Sequence, residues 1–317
     1  MSAGAIARTI GGALVAIALA ISAGVFLESR TTSRALRELP PPGALVDIGG
    51  RVLHVWCEGE GSPVIVLEAS GPGGARDWTK VMERVRGRTR VCAIDRAGMG
   101  WSDPGPLPRT AARITEDARA ALGKLGEPAP YELGGASFGG LIVRHWALSY
   151  PDEVSGLVLV DAAHEAIVTA GADTFARLER ILLGARLLAR VGLLRLLDPF
   201  RIAGPEAALA YRADAWQALH SMIAARAQSV AELPVPGRYR AGLPVVMLVH
   251  GRAGDLLGAG FDDDAERFES QWQEIQAELA RESGADLRVV PDCGHLIHIE
   301  RPDAVAAALD DVADRAN

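Results

Sequence analysis

Gly134-Gly135-Ala136-Ser137-Phe138-Gly139-Gly140 is the stretch whose reading decides the fold. Residues 135–139 form a Gly-x-Ser-x-Gly pattern. Pro130-Tyr131-Glu132-Leu133 before it reads as a short strand, and Leu141–Leu148 after it carries helical spacing. A sharp strand-to-helix turn holds a serine at its apex, with the hydroxyl exposed and the next backbone N–H aimed at the same space. Small residues on both sides let strand and helix approach closely around a strained apex. Ser137 is therefore a candidate nucleophile.

Outward from this turn, strands and helices alternate from residue 44. Leu45–Ile48 and Arg51–Glu58 read as a hairpin around Gly49-Gly50, and Val64–Glu68 as a strand covered on both faces. A helix from Trp78, a strand Arg90–Ile94 and a helix Thr110–Leu125 follow. After the turn come strands Leu157–Val160, Val245–Val249 and Leu287–Val290, and helices Glu266–Ser283 and Asp303–Ala316. Residues 165–243 interrupt the rhythm with helical, Ala/Leu/Arg-rich sequence. The expectation is an α/β fold of eight mostly parallel strands with a helical insertion after the sixth.

The chain has 317 residues, 49% hydrophobic and 5% aromatic, with a net charge of −7. That length and balance suit one large α/β domain and argue against a nucleic-acid groove. No spacing among the histidines and cysteines supports a metal site. Thr9–Leu27 has no charged side chain and would span roughly 28 Å as a helix, close to the thickness of a bilayer core. It reads as an uncleaved, single-pass membrane anchor; cleavage as a signal would instead give a secreted protein. Pro40-Pro41-Pro42-Gly43 reads as a stiff linker. The expected organisation is anchor and linker over 1–39, core over 40–164, helical cap over 165–243 and core again over 244–317.

A serine hydroxyl needs a base, and the base needs an orienting acid. In an open α/β sheet both belong on loops at the carboxyl ends of strands. Strand 245–249 leads into His250-Gly251-Arg252-Ala253-Gly254-Asp255, and strand 287–290 into Pro291-Asp292-Cys293-Gly294-His295. Ser137, Asp255 and His295 stand in the expected chain order. His298 competes with His295 as base, and Asp161, after the preceding strand, competes with Asp255 as acid. Asp95 and Ser102 read as turn formers.

With these pieces the chain resembles the α/β-hydrolase superfamily over about residues 44–316. The matching segments are Asp95-Arg96-Ala97-Gly98-Met99-Gly100-Trp101-Ser102, the turn at 134–140, Tyr150–Val154 leading to Leu157–Asp161, His250–Asp255, and Gly294-His295 followed by Glu300-Arg301-Pro302. The resemblance implies Ser137 as nucleophile, His295 as base and Asp255 as acid. It also implies an oxyanion hole from the N–H of Phe138 and one from the loop after the third strand. That loop reads Glu68-Ala69-Ser70-Gly71 where the family usually has His-Gly-x, so Ser70 is chosen over Gly71.

The second and fourth strands are neighbours in this fold, which brings Cys57 and Cys92 within reach of a disulfide and the domain into an oxidising, extracytoplasmic compartment. The insertion would cap the site. Its stretch Ile181–Val191 carries a basic stripe of Arg186 and Arg190 on a broad apolar surface, either packed on the core or touching the bilayer beside the anchor. The implied activity is hydrolysis of a small-molecule carboxylic ester, with no cofactor and no metal. Perhydrolase, amidase or aminopeptidase chemistry on the same residues is an alternative, as is a non-catalytic binding protein of this fold.

Overall fold

The computed structural model describes residues 3–166, 172–199, 202, 207–234, 239–252 and 262–316. Its strands are β1 (Ala44–Asp47), β2 (Val52–Glu58), β3 (Val64–Glu68), β4 (Val91–Ile94), β5 (Tyr131–Ala136), β6 (Val154–Val160), β7 (Val245–His250) and β8 (Asp286–Val290). They form one sheet in the order β1-β2-β4-β3-β5-β6-β7-β8. β2 is antiparallel to both β1 and β4, and the other pairings are parallel. This is the α/β-hydrolase sheet that the resemblance implied.

The helices are α1 (Ala3–Glu38), α2 (Thr79–Val85), α3 (Ala111–Leu125), α4 (Phe138–Ser149), α5 (Ala172–Arg190), α6 (Leu193–Leu197), α7 (Ala207–Ala210), α8 (Ala213–Ala224), α9 (Arg226–Ala231), α10 (Asp262–Ser283), α11 (Ile297–Glu300) and α12 (Pro302–Ala316). Side-chain alternation along the buried strands divides the core into two layers. Val64, Val66, Leu157 and Leu159 face one way, against α3, α4 and α10. Ile65, Leu67, Val158 and Val160 face the other, against α2 and α12. Helices α5 to α9 stand between β6 and β7, and Leu182, Leu219, Met222 and Ile223 pack them on Phe138, Leu141 and Ile142 of α4.

Local chemistry sets the boundaries. Thr110 caps α3, its hydroxyl accepting from the Arg113 N–H, and Gly126 ends the helix in the left-handed conformation. Cys57 and Cys92 sit directly opposite across β2 and β4 and are joined as a disulfide.

The N-terminal helix differs from expectation in length. It runs past the apolar segment to Glu38, and the prolines at 40–42, which lack an N–H, stop it. The segment after it is tied to the body: Trp101 Nε1 donates to the Leu39 carbonyl at 2.8 Å, and His54 Nε2 lies 3.0 Å from the Pro42 carbonyl. Ile6–Glu38 is long and apolar enough to cross a membrane.

Candidate active site

Ser137 sits between β5 and α4 with φ 51° and ψ −119°, a strained conformation for a residue with a side chain. Positions 139 and 140 are glycine because the backbone is crowded there. A Cβ on Gly139 would collide with the carbonyl oxygens of Glu68 and Ala69, and one on Gly140 with Ala162. The loop after β3 and the end of β6 therefore press against the serine turn from two sides. The Ser137 carbonyl accepts from the N–H groups of Gly140 and Ala163, and its own N–H donates to Val160.

His295 follows β8 and points at this serine, with Nε2 2.9 Å from Ser137 Oγ. Its Nδ1 lies 2.6 Å from Asp161 Oδ2. Asp161 immediately follows β6 and is fully buried. Of the two aspartates weighed as the acid, Asp161 is the one beside His295, whereas Asp255 lies outside the described residues. With Nδ1–H donating to the carboxylate, Nε2 is the lone-pair nitrogen facing the serine hydroxyl.

The rest of the network was absent from the sequence reading. His250, at the end of β7, also donates through Nδ1 to Asp161 Oδ2 at 2.6 Å, and through Nε2 to Glu269 Oε1 at 2.6 Å. Trp272 Nε1 donates to Asp161 Oδ1 at 3.0 Å, and its ring meets the His295 ring edge-on. Burial opposes a charge on His250, but the hydrogen bonds and charges of Asp161 and Glu269 outweigh it and push its pKa up to about 9. Burial would likewise raise Asp161; the hydrogen bonds from His250 and His295 and their charge hold it below the ordinary carboxylate value. Asp161 is thus a buried anion beside an imidazolium. Only the approach of α10, which carries Glu269 and Trp272, to the strand ends assembles this shell.

Asp161, His250 and His295 bring ligating atoms within 4.8 Å of one another, a spacing that would suit a metal ion. The donor chemistry does not suit one. His250 engages both ring nitrogens as donors, and His295 divides its two between Asp161 and Ser137.

His298 is buried against the Trp78 ring, and neither ring nitrogen has a hydrogen-bond partner among the described residues. Burial, with a smaller contribution from His295, lowers its pKa to about 4. It stays neutral and forms no bond to Ser137. Cys293 is a buried free thiol whose pKa burial raises to about 11. Asp95 and Ser102 are structural as expected: Asp95 accepts from the Ala75 N–H and lies 2.8 Å from His54 Nδ1, while Ser102 Oγ donates to the Asp95 carbonyl.

The loop after β3 is held from behind by Arg96, which is buried. Arg96 Nη1 donates to the carbonyls of Ser70 at 2.9 Å and Gly71 at 3.2 Å, Nη2 donates to that of Ala69, and Nε to Glu68 Oε2 at 3.0 Å. Three consecutive carbonyls are thereby turned toward one guanidinium. Phe138 is the first residue of α4, where backbone N–H groups have no acceptor within the helix.

The profile of the alpha/beta hydrolase family matches residues 61–308. A pimeloyl-[acyl-carrier protein] methyl ester esterase from Chromobacterium violaceum is 36% identical over 108 residues, 34% of this chain and 40% of that protein. An uncharacterised protein of Bacillus subtilis is 29% identical over 152 residues, 47% of this chain and 46% of that protein. The matched segments thus span less than half the length of these curated relatives. Among solved structures, a thermophilic esterase from Thermogutta terrifontis superposes with a TM-score of 0.59 at 22% identity, covering 86% of this chain and 97% of that one. At that identity the likeness concerns the fold.

Proposed function

Since the chain belongs to the alpha/beta hydrolase family, we propose that it is a serine hydrolase that cleaves a carboxylic ester through Ser137, His295 and Asp161. The observation that carries this is the continuous hydrogen-bonded line from Ser137 Oγ through His295 to the buried Asp161 carboxylate. Ser137 gives its proton to His295 Nε2 as its oxygen attacks the ester carbonyl. Asp161 holds the imidazole in the required tautomer and stabilises the cation that forms. The backbone N–H groups of Phe138 and Ser70 take up the oxyanion, and Arg96 fixes the Ser70 side of that pair by gripping the carbonyls around it. His295 then protonates the leaving alcohol, and water, activated by the same imidazole, releases the acid from the acyl-enzyme.

The named activity of the Chromobacterium relative favours an ester over an amide. The helices between β6 and β7 act as the cap, with Leu219 and Met222 beside the serine turn giving an apolar acyl site. Helix α1 serves as the membrane anchor, and the Cys57–Cys92 disulfide favours a hydrolase domain on the oxidising side.

The test is labelling of the full-length protein with a fluorophosphonate, followed by mass spectrometry of the adduct. Attachment at Ser137, lost in Ser137→Ala, is expected. A folded protein that does not react would overturn the proposal.

A further inference from the structure

The apolar side chains left on the surface are concentrated at one place. Outside α1, twelve large hydrophobic residues are exposed among the described residues, and seven of them fall between 181 and 197: Ile181, Leu183, Leu187, Leu188, Leu193, Leu196 and Leu197. Leu196 and Leu197 are 78% and 65% exposed, more than any of the other five. Water-facing surfaces rarely gather leucines this way without an occupant.

The position of this patch relative to α1 identifies the occupant. A Cβ on Gly24 would collide with the Val191 carbonyl, so α1 touches the corner between α5 and α6 at that residue. Glu28, one turn on, is buried there and receives Arg195 Nε at 2.9 Å and Nη2 at 2.7 Å. Thr32 joins the same cluster, its hydroxyl donating to Glu28. Gly24 lies three residues inside the end of the apolar run, about 4–5 Å along the helix axis. The α5–α6 corner therefore stands level with the last turn of the apolar segment, and Leu193, Leu196 and Leu197 flank it. Of the two carboxylates near that level, Glu28 is withdrawn into the protein by Arg195, and Asp198, which follows Leu197, accepts from the Tyr211 hydroxyl at 2.6 Å. Arg180 and Arg190 are exposed on the same helix as Ile181 and Leu187, and Arg30 and Arg37 are exposed on α1 beyond the apolar run, where headgroup phosphates would lie.

We propose that the outer face of α5 and α6 is a second membrane contact, seated in the interfacial layer of the same leaflet that α1 leaves. It rests on the proposal that α1 is a membrane anchor. The inner face of α5 packs on α8, and Leu219 of α8 lies beside Gly71 in the loop next to Ser137. Two packed helices, α5 and α8, thus stand between the leaflet surface and the site, a short path for a lipophilic ester delivered from the bilayer. Of the basic stripe expected on α5, Arg186 turns toward α8, its Nη1 3.5 Å from His220 Nδ1, while Arg190 stays exposed among the leucines.

The experiment uses the full chain in phosphatidylcholine–phosphatidylglycerol vesicles containing a nitroxide-labelled phosphatidylcholine. Leu196→Cys, Leu19→Cys and Asp314→Cys are each labelled with bimane; Cys57 and Cys92 are bonded to each other, and Cys293 is buried. Asp314 lies on α12, on the opposite layer from the cap. Several-fold stronger quenching at Leu196→Cys and Leu19→Cys than at Asp314→Cys is expected. Quenching at Leu19→Cys without quenching at Leu196→Cys would overturn the inference and leave the anchor intact. No quenching at Leu19→Cys would remove the anchor and the inference together. Cross-linking between copies at Leu196→Cys without quenching would assign the face to a second copy of the chain and also overturn it.

Discussion

Asp161→Asn is the perturbation that bears most directly on the site. The carboxylate accepts from His295 and His250 at 2.6 Å each and from Trp272 at 3.0 Å. An amide has almost the same shape, but it carries no charge and presents its NH2 group either to both histidines, at the Oδ2 position, or to Trp272, at the Oδ1 position. His295 would favour the tautomer that turns a proton toward Ser137, and its cation would lose the counter-charge. The expected loss in kcat is about ten-thousand-fold, equivalent to about 5 kcal/mol of transition-state stabilisation. The cost to folding is smaller. Removing one partner of a buried pair costs roughly 3–5 kcal/mol, but His250 keeps Glu269, so a loss of about 2 kcal/mol is expected. The assay is hydrolysis of a short, water-soluble p-nitrophenyl ester, with fluorophosphonate labelling and urea unfolding on the same protein. Asp255→Asn should cost under about 1 kcal/mol in either measure. A collapse of kcat in Asp255→Asn, with Asp161→Asn retaining more than about a tenth of the activity, would refute the assignment of the acid.

Three other outcomes are expected. Glu132 is buried on β5 with no hydrogen-bond partner for either carboxylate oxygen among the described residues, and burial raises its pKa to about 8. Because the folded-state value lies above the unfolded one, stability should be full below about pH 4.5 and fall as pH rises through 8, by roughly 5 kcal/mol. Urea midpoints across that range should slope for the wild type and flatten in Glu132→Gln. In Gly139→Ala the new methyl would strike the carbonyls of Glu68 and Ala69; a stability loss of about 1–3 kcal/mol is expected, with kcat/KM falling further than the melting temperature accounts for. Arg96→Met should lower kcat more than it raises KM, because the loop it grips meets the oxyanion only in the transition state. Adding Glu68→Gln should restore stability, by removing the stranded carboxylate, without restoring kcat.

Much of the architecture was legible in local sequence. Two-fold alternation and apolar runs marked all eight strands, because most strand positions in the middle of the sheet are covered on both faces and favour apolar side chains. The Gly-rich turn announced Ser137 because close approach of backbone leaves no alternative to glycine. His295 was legible as the histidine in the loop after the last strand. The pairing of Cys57 with Cys92 rested on the resemblance, which makes the second and fourth strands neighbours; the structure adds that the two residues stand in register.

Other features depended on groups far apart in the chain. Asp161 and Asp255 are both aspartates following strand ends, and nothing local separates them; proximity to His295 depends on the relative heights of β6, β7 and β8 and on the path of the loops between them. The charged state of His250 needs Glu269, nineteen residues further on, which only the packing of α10 brings near. Arg96 reads as part of a tight turn, yet its buried guanidinium orders the loop after β3. By itself the sequence determined the fold, the serine turn and the histidine opposite it, because those rest on backbone sterics and periodic burial. Tertiary structure brought Asp161 to His295 and the N-terminal helix to the corner between α5 and α6, because both depend on distances between elements that no local pattern encodes.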